Sequence, residues 1–142
     1  MRILILLLFC LNINYVNADE IYNLLKIPNL EIFKLKSENN IRYLNTNNDF
    51  KIGVYDNITC NKTKKINLDK KFPVIEKNLS LYNSNFLKKI QLKYIVLCED
   101  LFISEINTGG IPDTQKRTLI LDINFNQKYF ERMIHHEISV SY

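Results

Sequence analysis

Apolar positions divide the chain into an apolar beginning, a weakly periodic first half and a strongly periodic second half. An unbroken apolar run covers residues 3–11. From residue 19 to residue 71 the apolar stretches are short, at residues 21–27, 30–35 and 50–55, and loops rich in Asn and Lys separate them. The first of these stretches fits a short strand or helix, whereas the alternation within residues 50–55 favours a strand.

The second half begins with a helical pattern and continues with a strand. Apolar residues recur at helical spacing from Val74 to Ile90, and Pro73 stands where it can open a helix. Ser84 and the asparagines beside it are a possible interruption. Residues 92–97 are rich in aliphatic and β-branched side chains and predict a buried strand.

A glycine pair and a final helix complete the pattern. Residues 107–113 contain Gly109 and Gly110 and predict a turn-forming loop. Residues 118–123 predict a second strand, and Gln127 begins the last helix, with Asn124 or Asn126 as its cap. On that helix the residues expected to face the core are Phe130, Met133, Ile134 and Ile138. We therefore predict an α+β fold, a small mixed sheet with a central helix and a C-terminal helix.

The chain length and the apolar beginning indicate an exported single domain. Arg2 precedes the apolar run, and Val16-Asn17-Ala18 provides a cleavage site, so residues 1–18 resemble a signal peptide. The run is too short for a stable transmembrane helix, so no stable membrane anchor is expected after cleavage. Residues 19–142 are then one secreted or periplasmic domain of ordinary size.

The charge distribution argues against a nucleic-acid partner. The net charge is +4, and loss of Arg2 with the signal lowers it by one. Five lysines lie within residues 61–71, but no aromatic or arginine side chains are interleaved with them, which favours a solvated loop over a binding patch.

Two cysteines, Cys60 and Cys98, remain after removal of the signal. An oxidising compartment makes a disulfide between them possible, and two separately buried thiols are the alternative.

The chemistry-bearing residues lie near the end of the last helix. In an HExxH helix two histidines one turn apart bind zinc, and the glutamate acts as general base on the metal-bound water. His136 and Glu137 occupy the first two positions, but Val140 stands where the second histidine belongs. His135 points about 100 degrees away from His136 on a helix, so the two cannot easily share one ion.

Residues 86–137 resemble the first part of the catalytic region of exported zinc metallopeptidases of the zincin type. The resemblance is carried by a helix, a strand, a glycine-containing segment, a second strand and a helix with His-His-Glu. It implies that His136 is a zinc ligand, that Glu137 is the catalytic base, and that the substrate is a peptide or protein. Val140 departs from the pattern, so we expect an incomplete zincin-like domain with weak or no zinc binding and no peptidase activity. A small exported interaction protein with a coincidental His-His-Glu is the alternative.

The signal peptide predicts that the exported protein begins at Asp19. N-terminal sequencing of the secreted form measures this directly, and a secreted form that retains Met1 would contradict it.

Overall fold

The computed structural model describes residues 27, 30–46, 50–52 and 55–141. Eight strands and three helices are present in these residues. The strands are β1 (Glu31–Ile32), β2 (Arg42–Asn45), β3 (Phe50–Ile52), β4 (Tyr55–Lys62), β5 (Tyr94–Ile103), β6 (Ile106–Asn107), β7 (Gly110–Asp113) and β8 (Thr118–Asp122). The helices are α1 (Lys65–Leu79), α2 (Ser84–Ile90) and α3 (Gln127–Ser141). The predicted α+β class is confirmed, and the strands form one mixed sheet. The described part of the chain contains no helix long and apolar enough to cross a bilayer.

The long strand β5 lies at the centre of the sheet and has different neighbours along its two halves. Its first half pairs in parallel with β2 on one side and with β8 on the other. Its second half pairs antiparallel with β4 and β6. The register changes at Asp100, which has a φ of 59° and is the extra residue of a β-bulge opposite Cys60 and Asn61.

Alternation along the central strands separates two apolar layers. Ile95 and Leu97 face the helices, while Val96 and Cys98 face the opposite layer. The helical layer is completed mainly by apolar residues of α1 and α3, which are Leu68, Ile75, Leu79, Phe130, Met133, Ile134 and Ile138. The opposite layer is completed by Ile27, Leu30, Leu44, Ile58, Cys60, Tyr94, Leu101, Ile111 and Ile120. Each face of the sheet is therefore buried, which requires the near-continuous apolar runs of β5 and β8.

The predicted elements of the second half agree with the structure at three places. Strand β5 contains most of residues 92–97, β8 covers Thr118–Asp122, and α3 begins at Gln127. The Asn126 side chain caps α3 by accepting a hydrogen bond of 3.0 Å from the Tyr129 amide. Of the two caps considered, Asn126 is the one used.

Two predicted elements are wrong. The lysine-rich residues 61–71 are not a loop, because β4 ends at Lys62 and α1 begins at Lys65, so Pro73 lies inside a helix instead of opening it. Leu68, Ile75 and Leu79 form the buried stripe of α1, and the lysines Lys64, Lys65 and Lys70 occupy its solvent side. Lys71 is an exception, because it donates a 2.5 Å hydrogen bond to the Phe125 carbonyl and lies over the Phe130 ring.

The second wrong prediction concerns residues 107–113. They do not form a simple turn, because Gly110–Asp113 is strand β7, paired antiparallel with β8. By sequence pattern Pro112 argues against a strand in this segment, because proline has no amide hydrogen to donate. In sheets proline occurs mainly in edge strands, where that amide is not needed. Within the described residues no strand pairs with the outer side of β7.

A disulfide joins Cys60 of β4 to Cys98 of β5, with a Cα–Cα distance of 5.1 Å. Both residues are buried in the layer opposite the helices. The bridge spans the bulge, so it links the two strands where their backbone pairing is irregular.

Replacing both cysteines by alanine should lower the free energy of unfolding by about 3 to 4 kcal/mol, because the bridge closes a loop with a sequence separation of 38. Urea denaturation of the oxidised wild type and the double variant measures the difference. Reduced wild type is the control and should resemble the variant. Equal midpoints for all three proteins would contradict the prediction.

Candidate functional site

Helix α3 carries the predicted site residues, and its buried stripe determines which way they point. Phe130, Ile134 and Ile138 recur every four residues and are fully buried against the sheet. This stripe fixes the rotation of the helix. The residues between these positions therefore have fixed directions, toward β7, toward α1 or toward solvent.

His136 lies on the solvent side of α3. Val140, one turn later, is 70% exposed, so the two positions share one exposed face, as an HExxH helix requires. Among the described residues there is no group of three or more His, Cys, Asp or Glu side chains that could hold a metal ion. Because zinc sites use three or four protein ligands, the residues described here do not fit the predicted zinc site at His136.

Glu137 points in a different direction and packs on strand β7. An ideal Cβ placed on Gly110 would lie 2.8 Å from the Glu137 Cγ and 3.3 Å from its Cδ. The side chain thus crosses the backbone at a position where only glycine leaves room. Burial raises the pKa of this carboxyl above its usual range, and the neighbouring His136 charge partly opposes the effect.

Gly109 makes a similar close approach to α3. A Cβ at this residue would lie 2.4 Å from the Met133 Sδ and 3.2 Å from a ring carbon of Tyr129. The glycine pair therefore lets α3 lie directly against the sheet edge. Without it, a side chain would separate the helix from β7 and move Glu137 away from the strand.

His135 has a structural role that sequence analysis missed. The Asn78 Nδ2 donates to the Val74 carbonyl at 2.8 Å, which turns the Asn78 Oδ1 toward the His135 Nε2, 2.8 Å away. The Nε2 must therefore donate. The His135 Nδ1 is hydrogen-bonded to the Tyr82 hydroxyl at 2.7 Å. Both ring nitrogens are occupied, so His135 connects α3 to α1 and to the segment before α2.

The outer edge of β7 lies beside Glu137. The Asp122 amide donates to the Gly109 carbonyl at 2.9 Å, so these two residues form a hydrogen-bonded pair of the antiparallel ladder. Because such pairs alternate with non-hydrogen-bonded pairs, the backbone N–H and C=O of Ile111 point toward β8, and those of Gly110 point outward. The outward Gly110 carbonyl has one long contact, 3.4 Å, from the Thr108 hydroxyl. Pro112 adds an outward carbonyl and no amide. The edge thus offers one donor and two acceptors, centred on Gly110.

The structure brings together Glu137, Gly109 and Gly110, which lie far apart in the sequence, and it leaves His136 exposed. The glycine pair was predicted only as a turn. Two adjacent glycines before a strand indicate that another part of the chain packs closely on the backbone there. The sequence does not show that this part is α3, because the packing partner depends on the fold. Asn78 and Tyr82 carried no signal, because their partner His135 is distant in sequence.

Comparison with known proteins gives no further assignment. The chain matches no protein-family model, no curated protein and no solved structure.

The contact between Gly110 and Glu137 predicts an interaction between two substitutions. Gly110→Ala should destabilise the protein by about 1 kcal/mol, because the new methyl group collides with the Glu137 Cγ. In a Glu137→Ala background the same change should cost much less, since the Glu137 Cγ and Cδ are gone and only the Met133 Sδ remains, 3.3 Å from the new methyl group. Chemical denaturation of the four proteins of this cycle measures the coupling. Thr114→Ala, in the exposed loop after β7, is the control and should be additive with Glu137→Ala. Additivity of Gly110→Ala with Glu137→Ala would contradict the contact.

Proposed function

We propose that the chain is an exported zinc-metallopeptidase-like protein that binds extended peptides along β7 and does not hydrolyse them in this form. The observation that carries the proposal is the position of the Glu137 side chain across Gly110, at the outer edge of β7, with which no strand of the described residues pairs. The resemblance to zincins, in which Glu137 corresponds to the general base and His136 to a zinc ligand, supports the same assignment. No metal-dependent step is part of the proposal, because the described residues do not fit zinc.

The edge of β7 is suited to an extended peptide. A peptide strand pairs with an exposed edge through backbone hydrogen bonds, at about 4.8 Å from the edge strand. The outward amide and carbonyl of Gly110 can exchange two hydrogen bonds with a single peptide residue. Pro112 cannot donate the next bond, so pairing is short and centred on Gly110. A short pairing is typical of weak and reversible peptide binding.

Glu137 would contact the backbone of such a peptide. Its Cδ lies 3.3 Å from the Cβ position of Gly110, so the carboxyl group lies on the face of β7 at the residue that would pair with the peptide. Because burial raises the pKa of this carboxyl, it holds its proton at higher pH than a solvated glutamate. The protonated form can donate to a peptide carbonyl and the ionised form can accept from a peptide amide.

The alternative function is that of a small exported interaction protein with a coincidental His-His-Glu. The exposed lysines just before α1 and in its first half, Lys64, Lys65 and Lys70, favour an acidic partner for such a protein. In that case partner binding involves α1 and does not depend on Glu137 or on the edge of β7.

Val140→Ala and Val140→His separate the two functions, because position 140 is exposed and tolerates a polar side chain. The histidine variant restores the second HExxH position and should bind Zn²⁺ about tenfold or more tightly than the alanine variant. The metal would lie on the solvent side of α3, next to Glu137, which packs on β7, so a peptide hydroxamate bound to the zinc-loaded variant should reach the edge of β7. Isothermal titration calorimetry measures both affinities.

The matched control carries histidines at two other exposed positions of α3, as Lys128→His with Arg132→His. This pair has the same spacing and lies away from Glu137. We expect it to bind zinc without retaining the peptide hydroxamate. Equal hydroxamate affinity at the two engineered sites would show that β7 contributes nothing, and would contradict the proposed function.

A further inference from the structure

A cavity lies at the end of the sheet opposite to Glu137. The loops that lead into the three parallel strands β2, β5 and β8 meet there, next to α2, and enclose about 650 Å³. This volume is typical of small-molecule sites. Gly110 pairs with Leu121 near the last residue of β8, whereas Arg117 immediately precedes β8. The two regions therefore lie at opposite ends of one strand.

Positive charge dominates the cavity. Lys88, Lys93 and Arg117 line it, against the single carboxylate of Glu38. An adjoining cavity of about 270 Å³ shares Lys93 and adds Arg42. Within the described part of the chain none of these four cations is in an ion pair. Cations from α2 (Lys88), from the loop before β5 (Lys93) and from the loop before β8 (Arg117) therefore line one concave surface, which favours an anionic ligand.

The remaining walls are rich in hydroxyl and amide groups. Ser80 and Asn39 line the cavity but are already hydrogen-bonded to each other and to Glu76, which leaves Asn40, Ser84 and Gln91 for a ligand. Such groups donate to and accept from a polyhydroxylated molecule. Together with the cations, they fit a sugar that carries a phosphate group better than they fit an apolar acid.

The cavity is preformed on the side of β2. The buried carboxylate of Glu76 in α1 accepts hydrogen bonds from the Ser37 hydroxyl at 2.8 Å, the Glu38 amide at 2.9 Å and the Asn39 side chain at 3.1 Å. The Tyr43 hydroxyl donates to the same carboxylate at 2.6 Å. These bonds hold the loop before β2 in place, so ligand binding does not have to order it.

Arg117 occupies a position that disfavours its own side chain. Its φ is 55°, at the end of the loop between β7 and β8, where glycine or asparagine is preferred. The backbone is held there because the Arg117 carbonyl accepts from the amides of Lys93 at 2.9 Å and Tyr94 at 3.1 Å. An arginine in this conformation costs free energy relative to glycine.

From this geometry we infer that the cavity binds a phosphorylated sugar, with Arg117, Lys93 and Lys88 contacting the phosphate and the hydroxyl and amide groups contacting the sugar. The site is independent of the proposed peptide edge. One described connection to α3 is Tyr82, which lines the cavity and is hydrogen-bonded to His135.

Isothermal titration calorimetry of the full chain with glucose 6-phosphate, inorganic phosphate and glucose tests the inference. Glucose 6-phosphate should bind with a dissociation constant of about 1 mM or lower, and about tenfold more tightly than inorganic phosphate, because only it engages both sets of groups. Glucose alone should bind more weakly than glucose 6-phosphate. Failure of glucose 6-phosphate to bind, or equal affinity for it and for inorganic phosphate, would overturn the inference.

Arg117→Gly distinguishes a ligand-binding role from a structural one. It should weaken glucose 6-phosphate binding about tenfold, through loss of a charged hydrogen-bonding group, and should raise the thermal midpoint by about 2–4 °C through relief of the left-handed conformation. Lys70→Ala, an exposed lysine on α1, is the charge-matched control and should leave the affinity unchanged. An equal loss of affinity in Lys70→Ala, or unchanged affinity in Arg117→Gly, would overturn the assignment.

Discussion

The bulge at Asp100 is the constraint on which the arrangement of the sheet depends. It lies within the antiparallel pairing of β5 with β4, and it separates the part of β5 that pairs in parallel with β2 and β8 from the part that pairs antiparallel with β6. A bulge leaves backbone groups unpaired, and the buried carboxylate of Asp122 satisfies one of them by accepting from the Leu101 amide at 2.8 Å. The same carboxylate accepts from Asn107 at 3.1 Å and from the Asn124 amide at 2.8 Å. One side chain at the end of β8 thus holds the bulge, the β5–β6 hairpin and the segment before α3.

The two proposed sites follow from this arrangement. Because β8 ends at Asp122 and the chain turns back into α3, the helix lies over β7 and β8, and the glycine pair brings it into contact with the sheet edge. At the other end, the parallel order of β2, β5 and β8 places three entry loops side by side, and each carries polar or basic residues. The peptide edge and the cationic cavity are therefore consequences of one topology.

Much of the second half of the chain could be predicted from its sequence. Residues 92–97 and 118–123 are long apolar runs, and such runs are typical of parallel strands buried on both faces. The start of α3 at Gln127 follows from the cap at Asn126 and the four-residue spacing of Phe130, Ile134 and Ile138. The first half was harder. The many lysines of α1 made its apolar spacing difficult to recognise. Pro73 indicated the start of a helix, whereas in the structure it lies inside one.

The sequence by itself determined which faces of the strongly periodic elements are buried, which cysteines were available for a bridge, and which two residues of an HExxH helix are present. Only the tertiary structure decided that Glu137 lies on Gly110, that both nitrogens of His135 are occupied, and that Lys88, Lys93 and Arg117 converge on one cavity. The physical reason is that periodicity records whether a side chain meets water or the core, which is a local property. The partner that it meets depends on strand order and crossovers, and these bring together residues that are distant along the chain.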